Sequence, residues 1–191
     1  MSILRLTKFD VAERQLLQAI TMFFREDDVV SVHTVSEAAG QVLSDISGDY
    51  GVKNDIKNSE MIKPDMKREW IKHLNKSRNF FKHADNDKDT IHEFKPEINC
   101  FSLFSAVLMY NKIKKSWVPE TQAYNYWFLL NYPHLIREDS EFKKNYEVMK
   151  SNGNLSDQND KKLMFDFSKA IRNGELSSSN VNLEYGLYFP I

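Results

Sequence analysis

The chain has 191 residues, of which 41% are hydrophobic and 28% charged, and its formal net charge is −1. This length suits a single domain with a buried core, and the apolar content excludes an intrinsically disordered chain. A net charge near zero excludes a global attraction to nucleic acid or to an anionic membrane, so such contacts need a local basic patch. Residues 1–5 lack a signal-peptide pattern, and no run approaches ~18 apolar residues, so we expect a cytoplasmic protein without membrane contact.

The first half of the chain has the periodicity of helices. Glycine and proline are scarce, and the segments between them predict an all-α, single-domain bundle of about six to seven helices over residues 1–191. The first helix is predicted from Phe9 to Arg25, and the second opens near Ser31, a plausible N-cap. Small residues in the second helix, Ala39 and Gly40 among them, should let another helix come close.

A polar loop is predicted over residues 47–64, since glycine, asparagine and aspartate are frequent there and a proline ends it. The third helix follows over about 65–83. Its core face, at 100° per residue, is predicted to carry Trp70, Leu74, Ser77, Phe81 and Ala84. A fourth helix over about 96–113 is almost wholly apolar and should lie at the centre of the bundle. It includes Cys100, which reads as a small buried thiol.

The remaining elements complete the bundle. Pro119 starts a fifth helix that must end by Tyr132, because Pro133 cannot continue it. A C-terminal helical extension over about 138–191 contains two shorter helices, about 140–149 and 160–172. Its apolar tail, 184–191, is predicted to dock on the domain.

The third helix has a polar face opposite Trp70. Basic and amide side chains on such a face can hold phosphate oxygens, and a histidine there can transfer protons near neutral pH. A merely solvated helix face is the alternative explanation. The residues on this face are Lys72, Asn75, Lys76, Asn79, Lys82 and His83, with Arg78 at its margin.

The end of this helix, Arg78-Asn79-Phe80-Phe81-Lys82-His83, resembles the R-x4-6-H motif of the HEPN superfamily, including the polar residue that often follows the arginine. Members of that family are all-α bundles, commonly dimeric, and many are metal-independent ribonucleases of toxin or antiviral systems. The resemblance covers the motif, the helix that carries it and the general helical architecture.

The resemblance implies a catalytic pair, His83 and Arg78, supported by Asn79. In that mechanism an RNA 2′-hydroxyl attacks its own phosphodiester, His83 moves a proton, and Arg78 stabilises the charge on the phosphate. It also implies RNA as a partner, a homodimer, a regulatory protein partner, and no cofactor or metal. The lysines of the polar face, Lys72, Lys76 and Lys82, are the candidates for binding the RNA phosphates. Residues five apart on a straight helix point about 140° from each other, so the pair converges only if the helix loosens near His83 or a twofold partner contributes.

The second helix adds two candidates. His33 and Glu37 are four residues apart and can meet side by side. They are secondary candidates for substrate binding, and a dimer would explain their place on the side of the second helix opposite its core face. The alternative is that His33 is hydrogen-bonded to a neighbouring carboxylate.

Two other functions compete with the ribonuclease. A non-catalytic helical interaction module would use the polar face of the third helix as a docking surface. A metal-dependent hydrolase would collect His83, Asp85, Asp87 and His92, since imidazole and carboxylate are suitable ligands for transition metals.

Overall fold

The computed structural model describes residues 3–52, 72, 75–84, 88–135, 143–144, 147, 151 and 160–175. These residues confirm the all-α bundle, and none of them lies in a β-strand. The predicted helix at 140–149 falls largely outside this range, as does most of the predicted loop 47–64, and the tail 184–191 lies wholly outside it. The helices are α1 (Lys8–Phe24), α2 (Val29–Ile46), α3 (75–82), α4 (Ile98–Lys114), α5 (Pro119–Asn131) and α6 (Lys161–Arg172).

A capping box starts α1. The Thr7 hydroxyl accepts from the Asp10 backbone N–H at 3.1 Å, and the Asp10 carboxylate accepts from the Thr7 N–H at 2.7 Å. This exchange satisfies two backbone donors that the first turn would leave without partners. The apolar face that follows, including Leu16 and Ile20, is fully buried.

The start of α2 corrects the sequence prediction. The carboxylate of Asp28, not the side chain of Ser31, is the N-cap, and it accepts from the Ser31 N–H at 2.7 Å. The prediction placed the cap three residues late because the apolar pattern with helical spacing begins at Val32, and Val29 and Val30, which the structure shows to be exposed, precede it. The helix therefore has one more turn at its start than the periodicity indicates.

The fourth helix packs against α1, α2 and α5, whereas α1 packs against α2, α4, α5 and α6, so the central position predicted for the fourth helix belongs to α1 among the described helices. The close approach predicted for the small residues of α2 is present, because a Cβ placed on Gly40 would lie 3.9 Å from the Ala106 Cβ of α4. Two of the ion pairs among the described residues join one helix to another. Glu13 of α1 accepts from Lys114 Nζ of α4 at 2.9 Å and from the Tyr110 hydroxyl.

The second ion pair holds α6 against α5. Arg172 Nε lies 2.8 Å from a carboxylate oxygen of Glu120, and both groups are largely buried. The bidentate geometry fixes the rotation of α6 as well as its distance. Cys100 is buried, as predicted, and burial raises the pKa of its thiol. Within the described segments, no helix is both long and apolar enough to cross a bilayer.

Candidate functional site

The third helix lies against α2 and the 88–97 segment through its aromatic side. Ser77 is buried and Phe81 is half-buried, as predicted. The Phe81 ring lies 5.4 Å from the His33 ring of α2 and 5.1 Å from the Phe94 ring, both edge-on. Ala84 is exposed, which corrects its assignment to the core face, because helical hydrogen bonding has ended before it. Trp70 and Leu74 lie outside the described residues.

His33 is fully buried beneath Phe81, so it cannot contact a substrate. Its Nδ1 lies 2.9 Å from Asn99 Oδ1, and Asn99 Nδ2 donates to the Val29 carbonyl at 2.9 Å. Because the Asn99 nitrogen is the donor to Val29, its oxygen must accept, so His33 Nδ1 carries the proton and Nε2 is a lone pair. The predicted substrate-binding role of His33 is therefore wrong, as is its predicted carboxylate partner: the ring is a structural link between α2 and α4.

Burial lowers the pKa of His33, and four nearby groups modify this effect, among them Asn99, whose hydrogen bond raises it. Glu37, half-buried one turn along α2, raises the pKa, whereas Lys82 of α3 and His92 lower it. Nε2 is buried and has no hydrogen-bond partner among the described residues. A proton added there would gain no acceptor, so the neutral ring is the form that fits the native packing.

His92 fastens the 88–97 segment to α3. Its Nε2 lies 2.8 Å from Ser77 Oγ, and its ring lies 4.9 Å from the Phe80 ring. This contact occupies one ring nitrogen of His92, whereas Nδ1 is buried and has no hydrogen-bond partner among the described residues. Asp85 and Asp87 lie outside the described residues, and the described ones contain no group of three or more metal-ligating side chains.

The polar face of α3 points to solvent as predicted, whereas Asn75 and Arg78 are half-buried at its margin. The face therefore combines three ammonium groups, one amide and one imidazole in the open, which is the chemistry that binds and rearranges phosphate esters. The exposed members are Lys72, Lys76, Asn79, Lys82 and His83.

The guanidinium of Arg78 is held by α2. Arg78 Nη1 donates to Gln41 Oε1 at 2.6 Å, and Gln41 Nε2 donates to Asp45 Oδ1 at 2.6 Å. Sequence reasoning missed both α2 residues. Their only signal was spacing, since Glu37, Gln41 and Asp45 recur every four residues and so share one side of α2.

The end of α3 decides whether one chain can assemble the predicted pair. The His83 N–H donates to the Asn79 carbonyl at 3.0 Å, so helical hydrogen bonding continues through His83. The helix does not loosen between Arg78 and His83, and the two side chains leave it about 140° apart. The loosening of the helix that would unite the pair within one chain is therefore not present at residues 78–83.

No family model, no curated protein and no solved structure matches this chain. The resemblance to the HEPN superfamily therefore rests on residues 78–83 and on the helix that carries them.

Proposed function

We propose that this protein is a HEPN-like, metal-independent endoribonuclease that acts on RNA as a homodimer. One observation carries the proposal: His83 stands exposed at the end of α3, one turn beyond an Arg78 that α2 holds in place. An imidazole, which can transfer a proton, and a guanidinium, which can bind phosphate oxygens, are the two groups that cleavage by an internal hydroxyl needs. A regulatory protein partner and a role in toxin or antiviral systems follow from the resemblance alone.

In the proposed reaction, His83 of one protomer takes the proton of an RNA 2′-hydroxyl. The 2′-oxygen then forms a bond to phosphorus while the bond from phosphorus to the 5′-oxygen breaks. The leaving 5′-oxygen takes a proton from water, and His83 returns its proton to the solvent, so the products are a 2′,3′-cyclic phosphate and a free 5′-hydroxyl. Arg78 of the other protomer stabilises the negative charge that builds on the phosphate oxygens. Asn79 supports the phosphate, and the exposed lysines at 72, 76 and 82 bind the neighbouring backbone.

The test is cleavage of a single-stranded RNA by purified protein in EDTA. His83→Ala should lower the rate by about 10²-fold or more, since a positioned acid–base group contributes that much, while the helical circular dichroism signal stays unchanged. His134→Ala is the matched control, because His134 is an exposed histidine on the turn after α5 and outside the proposed site.

A folded, dimeric wild type that neither binds nor cuts RNA would rule out the proposal. Retained RNA binding without cleavage would leave an RNA-binding protein with an inactive motif. Capture of a defined protein partner, unaffected by changing Arg78 and His83 together, would instead support the helical interaction module.

A further inference from the structure

The partner of Arg78 is a neutral amide, although an acidic residue is the commoner way to hold a guanidinium at a helix interface. The described contacts of Arg78 include one side-chain hydrogen bond, to Gln41, and no ion pair. A carboxylate at position 41 would pair with the guanidinium and cancel its charge. The Gln41 amide fixes the same nitrogen but leaves the positive charge uncancelled.

The amide cannot turn around. Arg78 has only donors and the Asp45 carboxylate has only acceptors, so Gln41 Oε1 must face the arginine and Nε2 must face the aspartate. Asp45 is exposed, so water screens its charge, and its described bond is to the amide rather than to the guanidinium. The chain from Asp45 through Gln41 to Arg78 therefore sets a position without neutralising it.

We infer that Gln41 is a positioning residue that holds Arg78 in place without neutralising its charge. The guanidinium can then bind an anionic ligand, the phosphate of a single-stranded RNA. This inference rests on the proposed function, because that function supplies the phosphate. A glutamate at position 41 would still hold α3, through an ion pair with Arg78, but it would lose the hydrogen bond to Asp45 and stand one turn from that carboxylate.

The experiment compares Gln41→Glu with Arg78→Gln. Binding of a fluorescent single-stranded RNA is measured by anisotropy in EDTA at several salt concentrations. Gln41→Glu should weaken binding about tenfold and make the dependence of log affinity on log salt shallower by about 0.7, the loss of one phosphate contact, as Arg78→Gln does. Its urea unfolding midpoint should stay near that of the wild type, because the new ion pair with Arg78 offsets the lost hydrogen bond to Asp45 and the repulsion between the two carboxylates.

Gln18→Glu is the matched control, because it makes the same change in net charge at an exposed position of α1. Gln41→Met offers a second variant in case the glutamate disturbs α2. It keeps the charge of Arg78 but removes its acceptor, so affinity should fall while the salt dependence stays that of the wild type.

The outcomes separate the two ideas. If Arg78→Gln weakens RNA binding while both Gln41 variants bind like the wild type, the inference is overturned and the proposed function stands. If the wild type does not bind RNA, or Arg78→Gln binds as tightly as the wild type, the proposed site itself is wrong and the inference falls with it.

Discussion

At the scale of single residues, His33 shows how burial converts a reactive side chain into a structural one. Its proton is committed to Asn99 and its second nitrogen is enclosed by aromatic rings. From sequence, a histidine one helical turn from a glutamate predicts a binding or catalytic site. An imidazole without access to solvent, however, can contribute only packing and one hydrogen bond.

His33 should make the fold acid-sensitive. Because burial lowers its pKa below the ordinary 6.5, the unfolded chain takes up a proton at a higher pH than the native chain does. The contribution of neutral His33 to the free energy of unfolding is complete above about pH 6.5. It is lost as the pH falls towards the native pKa, by at most about 1.36 kcal/mol per pH unit.

Urea unfolding at about pH 7 and about pH 5 measures this contribution. His33→Gln keeps a neutral donor for Asn99 and cannot titrate, so its unfolding free energy should fall less between the two conditions than that of the wild type. If the free energy of unfolding falls equally in His33→Gln and in the wild type, His33 does not set the acid sensitivity.

At the scale of elements, Gly40 lies at the contact between α2 and α4, although this contact leaves room for a methyl group. A methyl group on Gly40 would meet Ala106 at 3.9 Å, an ordinary van der Waals distance. Glycine within a helix costs stability relative to alanine, because the unfolded chain has more conformations to lose.

Gly40→Ala should therefore raise the free energy of unfolding by about 0.5–1 kcal/mol. Gly51→Ala is the contrasting variant, because Gly51 has a φ of 68° after the 3-10 turn, and alanine there should destabilise by about 1 kcal/mol. Urea titration of the two variants gives both values. A loss of stability in Gly40→Ala would mean that α2 and α4 have no room for a methyl group.

The elements also show where sequence reasoning succeeds. The core periodicity of Leu16 and Ile20 is local, so it located α1 to within one residue at each end. The start of α2 was missed, because Ser31 and Asp28 are both good caps and only the backbone geometry shows which one accepts the hydrogen bond. The exposed lysines of α3 were predicted correctly, because a polar face opposite an aromatic one is also a local property.

At the scale of the whole molecule, the proposed ribonuclease site takes Arg78 from one chain and His83 from another, because helical hydrogen bonding continues to the His83 N–H. Arg78→Ala and His83→Ala proteins, each inactive alone, should recover activity when they are unfolded together and refolded as mixed dimers. With two sites per dimer and random assortment, about a quarter of the wild-type rate is expected.

Mixed refolding of either variant with wild type calibrates this assay, and sedimentation at several concentrations reports the dimer itself. No recovery from a mixture proven to contain mixed dimers would place both groups in the site of a single chain, in conflict with their separation of about 140° on α3.

Sequence by itself determined the helical class, the elements and the solvent-facing side of α3, because the 3.6-residue period depends only on neighbours along the chain. Only the tertiary structure decided that His33 is buried and that Gln41 holds Arg78. The partners of these residues are 66 and 37 positions away in the chain, and which helix faces pack together determines such contacts. The candidate catalytic motif was therefore visible in sequence, whereas the group that positions its arginine was not.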